Sequence, residues 1–119
     1  MASLVVKITA GTEALERCNQ GFTVASMALA AGFPVSVWLT GDAVRFAQPG
    51  FAQSVTLAGA GAFEDAVDAI IADGTLTACS QCLVRRDLGP EDLLPRVRVA
   101  GAAAFVEEVM ADDARALVY

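Results

Sequence analysis

Residues 35–42, VSVWLTGD, decide the fold class of this 119-residue chain. A mainly apolar run that ends abruptly in Thr-Gly-Asp is typical of a strand buried in a parallel sheet. Before it, apolar side chains recur at spacings of three and four, which marks one face of a helix. They are Leu15, Cys18, Phe22, Ala25 and Leu29. Because Gly32 and Pro34 end that helix, the segment predicts a helix that leads into a buried strand.

The same alternation extends to both ends of the chain. Strand-like runs occupy residues 4–9, 55–57, 76–79, 97–100 and 116–119, of which 55–57 is the weakest. Between them, residues 63–71 and 105–110 carry apolar stripes with helical spacing. Strands joined by helical crossovers predict the α/β class with a mostly parallel sheet. The length suits one domain over residues 1–119.

The predicted strands end in small, flexible or polar residues, at 9–11, 40–42, 57–59, 79 and 100–101. In open parallel sheets, ligands bind beyond the carboxyl ends of the strands. The pair Cys79 and Cys82 falls on this edge, and Asp42 is placed to hydrogen-bond a ligand there or to cap a turn. We therefore expect the functional site at this edge.

The charge balance argues against two classes of partner. Fourteen acidic residues against eight basic ones give a net charge of −6. Nucleic-acid binding needs a basic footprint, and anionic membrane surfaces attract basic segments, so we expect neither partner. The composition also lacks histidine, which excludes a Ser-His-Asp or Cys-His mechanism within the chain.

Localisation and assembly follow from other features of the composition. No targeting signal precedes the first strand, and Gly32 and Pro34 interrupt the longest apolar region, so we expect a cytoplasmic protein with reduced thiols. Hydrophobic residues make up 55% of the chain, which is high for a monomer. We therefore expect a homo-oligomer.

The cysteine pair is open to four interpretations. Both residues can be small apolar core residues, because free cysteine is often buried. A zinc site needs four ligands, and the chain has one further cysteine and no histidine. A thioredoxin-type dithiol is chemically possible, although that motif normally opens a long helix after an early strand. Finally, Cys79 can be a single reactive thiolate, favoured by a helix start and by Arg85 and Arg86.

Three segments resemble the DsrE/DsrF-like family of sulfur-carrier proteins. In residues 76–86, LTACSQCLVRR, Cys79 matches the family's active cysteine at a strand end, and Arg85 and Arg86 match its arginine pair. Residues 37–44, VWLTGDAV, resemble the family's second strand and the turn after it. Residues 99–101 resemble a later strand end. The resemblance covers nearly the whole chain.

The resemblance implies a flavodoxin-like three-layer fold that assembles as trimers or hexamers. It implies that Cys79 carries sulfane sulfur as a persulfide and exchanges it with donor and acceptor proteins. Arg85 and Arg86 would stabilise the sulfur anion, Asp42 would support the site, and no metal or organic cofactor would be required.

The chain also departs from the family pattern. Asp87 and Ala43 stand where glycine is common, and Cys82 is a second cysteine that many family members lack. A second thiol within reach of Cys79 can release sulfur by closing a disulfide. Two alternatives therefore remain beside the sulfur carrier: a CxxC dithiol oxidoreductase, such as relatives called peroxiredoxin-like, and a non-catalytic oligomeric module with core cysteines.

Overall fold

The computed structural model describes residues 1–119 and contains one five-stranded sheet. The strands are β1 (Ser3–Ile8), β2 (Val35–Leu39), β3 (Thr75–Cys79), β4 (Arg98–Ala100) and β5 (Ala114–Val118). All neighbouring strands pair in parallel, in the order β4-β3-β2-β1-β5. The α-helices are α1 (Leu15–Ala30), α2 (Phe63–Asp73), α3 (Ser80–Val84) and α4 (Ala102–Val109).

The helices form a layer on each face of the sheet. Helices α1 and α2 pack together on one face and enclose a core of 21 buried residues, to which α3 contributes Cys82 and Leu83. Helix α4 covers the other face, where Phe105 packs edge-on against Trp38 with ring centroids 5.4 Å apart. The predicted three-layer α/β fold with a parallel sheet is confirmed. Its strand order differs from the flavodoxin order, 2-1-3-4-5.

The connections that follow the neighbouring strands β3 and β4 leave the sheet toward opposite faces. After β3 the chain turns into α3 on the core face, whereas after β4 it turns into α4 on the other face. A crevice opens between the carboxyl ends of two strands wherever their connections diverge in this way. In this sheet the crevice lies between β3 and β4, where Cys79 pairs with Ala100.

The prediction of a strand at residues 55–57 is wrong. These residues form an irregular connection between a 3-10 turn (Ala52–Ser54) and α2, and Val55 and Leu57 pack against the core. The outer edges of β4 and β5 are free, but this run pairs with neither, and its apolar side chains pack against the core from outside the sheet. Residues 57–59 accordingly do not belong to the carboxyl edge of the sheet.

The chain contains no helix with the length and apolar character needed to cross a lipid bilayer.

Candidate functional site

Cys79 occupies the last position of β3 and directly precedes α3. Because side chains alternate along a strand, Cys79 and Thr77 share a face of the sheet. Thr77 is fully buried and accepts a hydrogen bond from Nε of Arg98 at 2.8 Å, and Arg98 is paired with Glu108 of α4. Cys79 therefore lies on the α4 face at the crevice, half-buried.

Cys82 reaches Cys79 from the first turn of α3. A side chain at the residue before a helix lies close to the third helical residue, and Cys79 and Cys82 have this spacing. Cys82 is buried, and its Sγ accepts a hydrogen bond from the backbone N–H of Gly41 at 3.2 Å. Both cysteines are free thiols.

The two thiols differ in acidity. Burial by itself would raise the pKa of Cys79, but the backbone N–H of Cys82, the Cys82 thiol, the backbone N–H of Gln81 and the charge of Lys7 outweigh it and lower that pKa. Burial raises the pKa of Cys82, and the adjacent Cys79 sulfur raises it further. Cys79 is therefore the more acidic thiol of the pair, and Cys82 is placed to donate a hydrogen bond to its thiolate.

Asp42 connects the loop after β2 to α3. Its Oδ1 accepts hydrogen bonds from Nε of Arg45 at 3.0 Å and from Nε of Arg86 at 3.1 Å. Burial acts to raise the pKa of Asp42, but these hydrogen bonds and the two guanidinium charges lower it. Arg86 also donates through Nη1 to the carbonyl oxygen of Cys82 at 3.0 Å. Asp42 and Arg86 thus hold the turn of α3 that carries Cys82.

Arg85 is exposed and directs Nη1 toward Sγ of Cys82, at 3.9 Å. The structure therefore gathers all five residues identified from the sequence, namely Asp42, Cys79, Cys82, Arg85 and Arg86. The contacts of the arginine pair are with Cys82 and Asp42, whereas the charge of Lys7 is the smallest of the influences that lower the pKa of Cys79. The functional role of each of the five remains a prediction.

Gly41 is a site residue for which the sequence suggested only a turn. Its φ is +56°, in the left-handed region that favours glycine, and an added Cβ would lie 2.7 Å from the carbonyl oxygen of Thr9. Only glycine lets the ends of β1 and β2 approach this closely while the Gly41 N–H points at Cys82. The abrupt Thr-Gly-Asp ending of β2 was the sequence signal for this position.

The cysteine pair lies outside the larger surface cavities of the protein. Five surface cavities of about 300–420 Å³ lie elsewhere on the protein, and neither Cys79 nor Cys82 lines any of them. No three side chains of Cys, Asp or Glu lie close enough together to hold a metal ion. The site therefore consists of a half-exposed acidic thiol, a buried thiol beside it and nearby cations.

Comparison with known proteins finds one matching protein family and solved structures with the same fold. The sequence model of the DsrE/DsrF-like family matches residues 2–118. The crystal structure of the YchN protein from E. coli superposes over 100% of both chains, with a TM-score of 0.81 and 14% identity. MTH1491 from Methanobacterium thermoautotrophicum, a protein of unknown function, does so with a TM-score of 0.76 and 14% identity. At this identity the two structures show a shared fold alone. No curated protein matches the chain.

Proposed function

Because this chain belongs to the DsrE/DsrF-like family, we propose that it handles sulfane sulfur in the cytoplasm and carries it as a persulfide on Cys79. The family suggests a sulfur-relay type of function. The observation that carries the proposal is the position of Cys79, a partly exposed cysteine at the end of β3, directly before the N–H groups that begin α3 and beside Cys82, surroundings that lower its pKa. A thiolate, unlike a thiol, is the nucleophile in sulfur exchange.

The transfer step follows from this acidity. The Cys79 thiolate attacks the outer sulfur of a donor persulfide, R–S–SH, and the sulfur–sulfur bond of the donor breaks. The products are the Cys79 persulfide and the donor thiolate, R–S⁻, so that atoms and charge balance without an external oxidant. Attack by an acceptor thiolate on the outer sulfur of Cys79 then repeats the step in the other direction.

The supporting residues act on the position and protonation of the pair. The Gly41 N–H and the Arg85 guanidinium hold the Cys82 sulfur, and Arg86 binds the Cys82 carbonyl oxygen. Asp42 orients Arg86 through its ion pair. In this arrangement the Cys82 thiol hydrogen-bonds the anionic sulfur of Cys79.

The partners are donor and acceptor proteins and further copies of this chain, in a trimer or hexamer. Cys79 is partly exposed at the carboxyl end of β3, where a partner protein can approach it. Val106 and Met110 of α4 and Val118 of β5 are 53%, 74% and 63% exposed. Apolar surface of this kind is typical of contacts between subunits, which supports the oligomer.

A second candidate function is that of a dithiol oxidoreductase, which the interaction between the two thiols favours. In that reaction the Cys82 sulfur attacks the inner sulfur of the Cys79 persulfide and forms the Cys79–Cys82 disulfide. Hydrogen sulfide leaves, and an external dithiol must then reduce the disulfide. The burial and raised pKa of Cys82 slow this step, so we favour the carrier.

Intact-mass spectrometry after brief exposure to inorganic polysulfide tests the proposal. We expect wild type and Cys82→Ala to gain one sulfur atom and Cys79→Ala to gain none. A loss of two hydrogens without a stable sulfur adduct would instead identify the dithiol oxidoreductase. If the native protein is unchanged and its thiols are modified only after denaturation, the chain is a non-catalytic module with core cysteines.

A further inference from the structure

Lys7 is the single lysine of the chain and lies within a central strand. Its neighbours Val6 and Ile8 are fully buried in the core. Strand β1 is paired on both sides, with β2 and β5, and an ammonium group in such a strand has to find a stabilising environment. Neither the family resemblance nor the proposed transfer step assigns a role to this residue.

Strand register places the Lys7 side chain on the face of the sheet that carries Cys79. Lys7 is level with Trp38, and Trp38 is level with Thr77, so these side chains form one row beneath α4. Cys79 is the next residue of β3 on the same face. Strands β1 and β3 are separated by two interstrand spacings, about 10 Å, and Cys79 lies two residues, about 7 Å, further along β3 than the level of Lys7.

The ammonium group of Lys7 lies 4.9 Å from the centroid of the Phe105 ring. A ring face attracts and orients a cation without neutralising its charge. On this face Arg98 is paired with Glu108, and the other two ion pairs of the protein join Asp42 to Arg45 and Arg86. Lys7 has no carboxylate within ion-pair distance, and its field favours the Cys79 thiolate.

We infer that Lys7 is the positioning residue that provides the counter-charge for the sulfur anion at Cys79, as a thiolate and, when loaded, as a perthiolate. Phe105 holds the ammonium group so that its charge stays near the crevice. The Cys82 thiol hydrogen-bonds the Cys79 sulfur, and Arg85 directs its guanidinium group toward Cys82 and not toward Cys79. The part that concerns the perthiolate rests on the proposed function, whereas the part that concerns the thiolate does not.

The test measures alkylation of Cys79 in the native protein, with each labelled cysteine identified by peptide mass spectrometry. Iodoacetamide is neutral and reports the thiolate population, whereas iodoacetate is anionic and also reports the local charge. In Lys7→Met we expect the iodoacetamide profile to move to higher pH and the iodoacetate rate near neutral pH to fall about three- to tenfold. Lys7→Arg should restore both.

Arg115→Met is the matched control, because it removes one positive charge from β5 on the opposite face of the sheet. Its alkylation should equal that of wild type. Equal rates and equal pH profiles for Lys7→Met and Arg115→Met would overturn the inference. If circular dichroism shows that Lys7→Met does not fold, Lys7→Gln, which keeps a long polar side chain, takes its place with the same expected result.

Failure of this inference is distinguishable from failure of the proposed function. If wild type takes up sulfur but Lys7→Met is alkylated like wild type, Lys7 has no role and the carrier stands. If Lys7→Met is alkylated more slowly while wild type takes up no sulfur, Lys7 is the counter-charge of a thiolate that is not a sulfur carrier.

Discussion

The two regions around Cys18 and Cys79 place the same side chain in opposite environments. Cys18 lies inside the core on α1, fully buried, and burial together with the charge of Glu13 raises its pKa from 9.0 to about 12. Cys79 lies at the open end of β3, and N–H groups, a thiol and a cation lower its pKa despite partial burial. The comparison shows that the surroundings at the end of a strand lower the pKa of a cysteine, whereas those on a helix face in the core raise it.

The largest expected difference between the two regions is in alkylation of the native protein. With iodoacetamide near neutral pH, we expect Cys79 to react about a thousandfold faster than Cys18. The pKa of Cys18 is about 12 and that of Cys79 lies below 9.0, so Cys79 has by far the larger fraction of thiolate. Peptide mass spectrometry measures both rates in one sample. Cys79→Ala should lose native labelling, and Cys18 should label only in denaturant. Similar rates for the two cysteines would break the comparison.

A smaller effect is expected from a substitution at Gly41, whose backbone N–H binds the Cys82 sulfur. Gly41→Ala puts a side chain at a φ of +56° and 2.7 Å from the Thr9 carbonyl oxygen. We expect the free energy of unfolding, measured in urea, to fall by about 2–4 kcal/mol. The matched control is Gly32→Ala, which has a φ of +89° but meets no atom within 4 Å.

Gly32→Ala therefore isolates the conformational cost from the cost of the close approach to β1. We expect Gly41→Ala to be the less stable of the two and to slow the alkylation of Cys79. Equal losses of stability would mean that the contact between the ends of β1 and β2 contributes nothing.

The smallest effect should come from Asp42→Asn, which weakens the ion pairs to Arg86 and Arg45. These groups are partly exposed, so we expect a loss of at most about 1 kcal/mol at neutral pH. Because folding lowers the pKa of Asp42, the ion pairs stabilise the protein above the ordinary carboxyl pKa of about 4, and this contribution disappears as the pH falls through the folded-state value.

The difference in unfolding free energy between wild type and Asp42→Asn should accordingly be constant near neutrality and shrink in acid. Urea unfolding across this pH range measures it. A difference that stays constant into strong acid would show that Asp42 acts through something other than its charge.

Much of the fold was predictable from local pattern. The buried run in VSVWLTGD and the periodic apolar residues before it predicted β2 and α1, and the strand end at Cys79 was placed correctly. The prediction of a strand at residues 55–57 failed because Val55 and Leu57 pack against the core from an irregular connection. An apolar pattern in so short a run does not distinguish such a connection from a strand.

The candidate site was predictable in its membership but not in its contacts. Spacing along the chain placed Cys79, Cys82, Arg85 and Arg86 on one segment, and that segment does form a strand end followed by a short helix. Arg86, however, binds Asp42 from 44 positions away, and Gly41 binds Cys82 from 41 positions away. These contacts depend on how β2 and β3 align, which no local signal records.

The sequence by itself determined the α/β class, the parallel sheet and the position of a cysteine at its carboxyl edge, because each depends on the order and periodicity of nearby residues. Only the tertiary structure decided the strand order, the divergence of α3 and α4 around Cys79, and the placement of Lys7 on the same face of the sheet as Cys79. The physical reason is that pairing across the sheet brings together residues that are distant along the chain. Lys7 and Cys79 share one environment because β2 pairs with both of their strands.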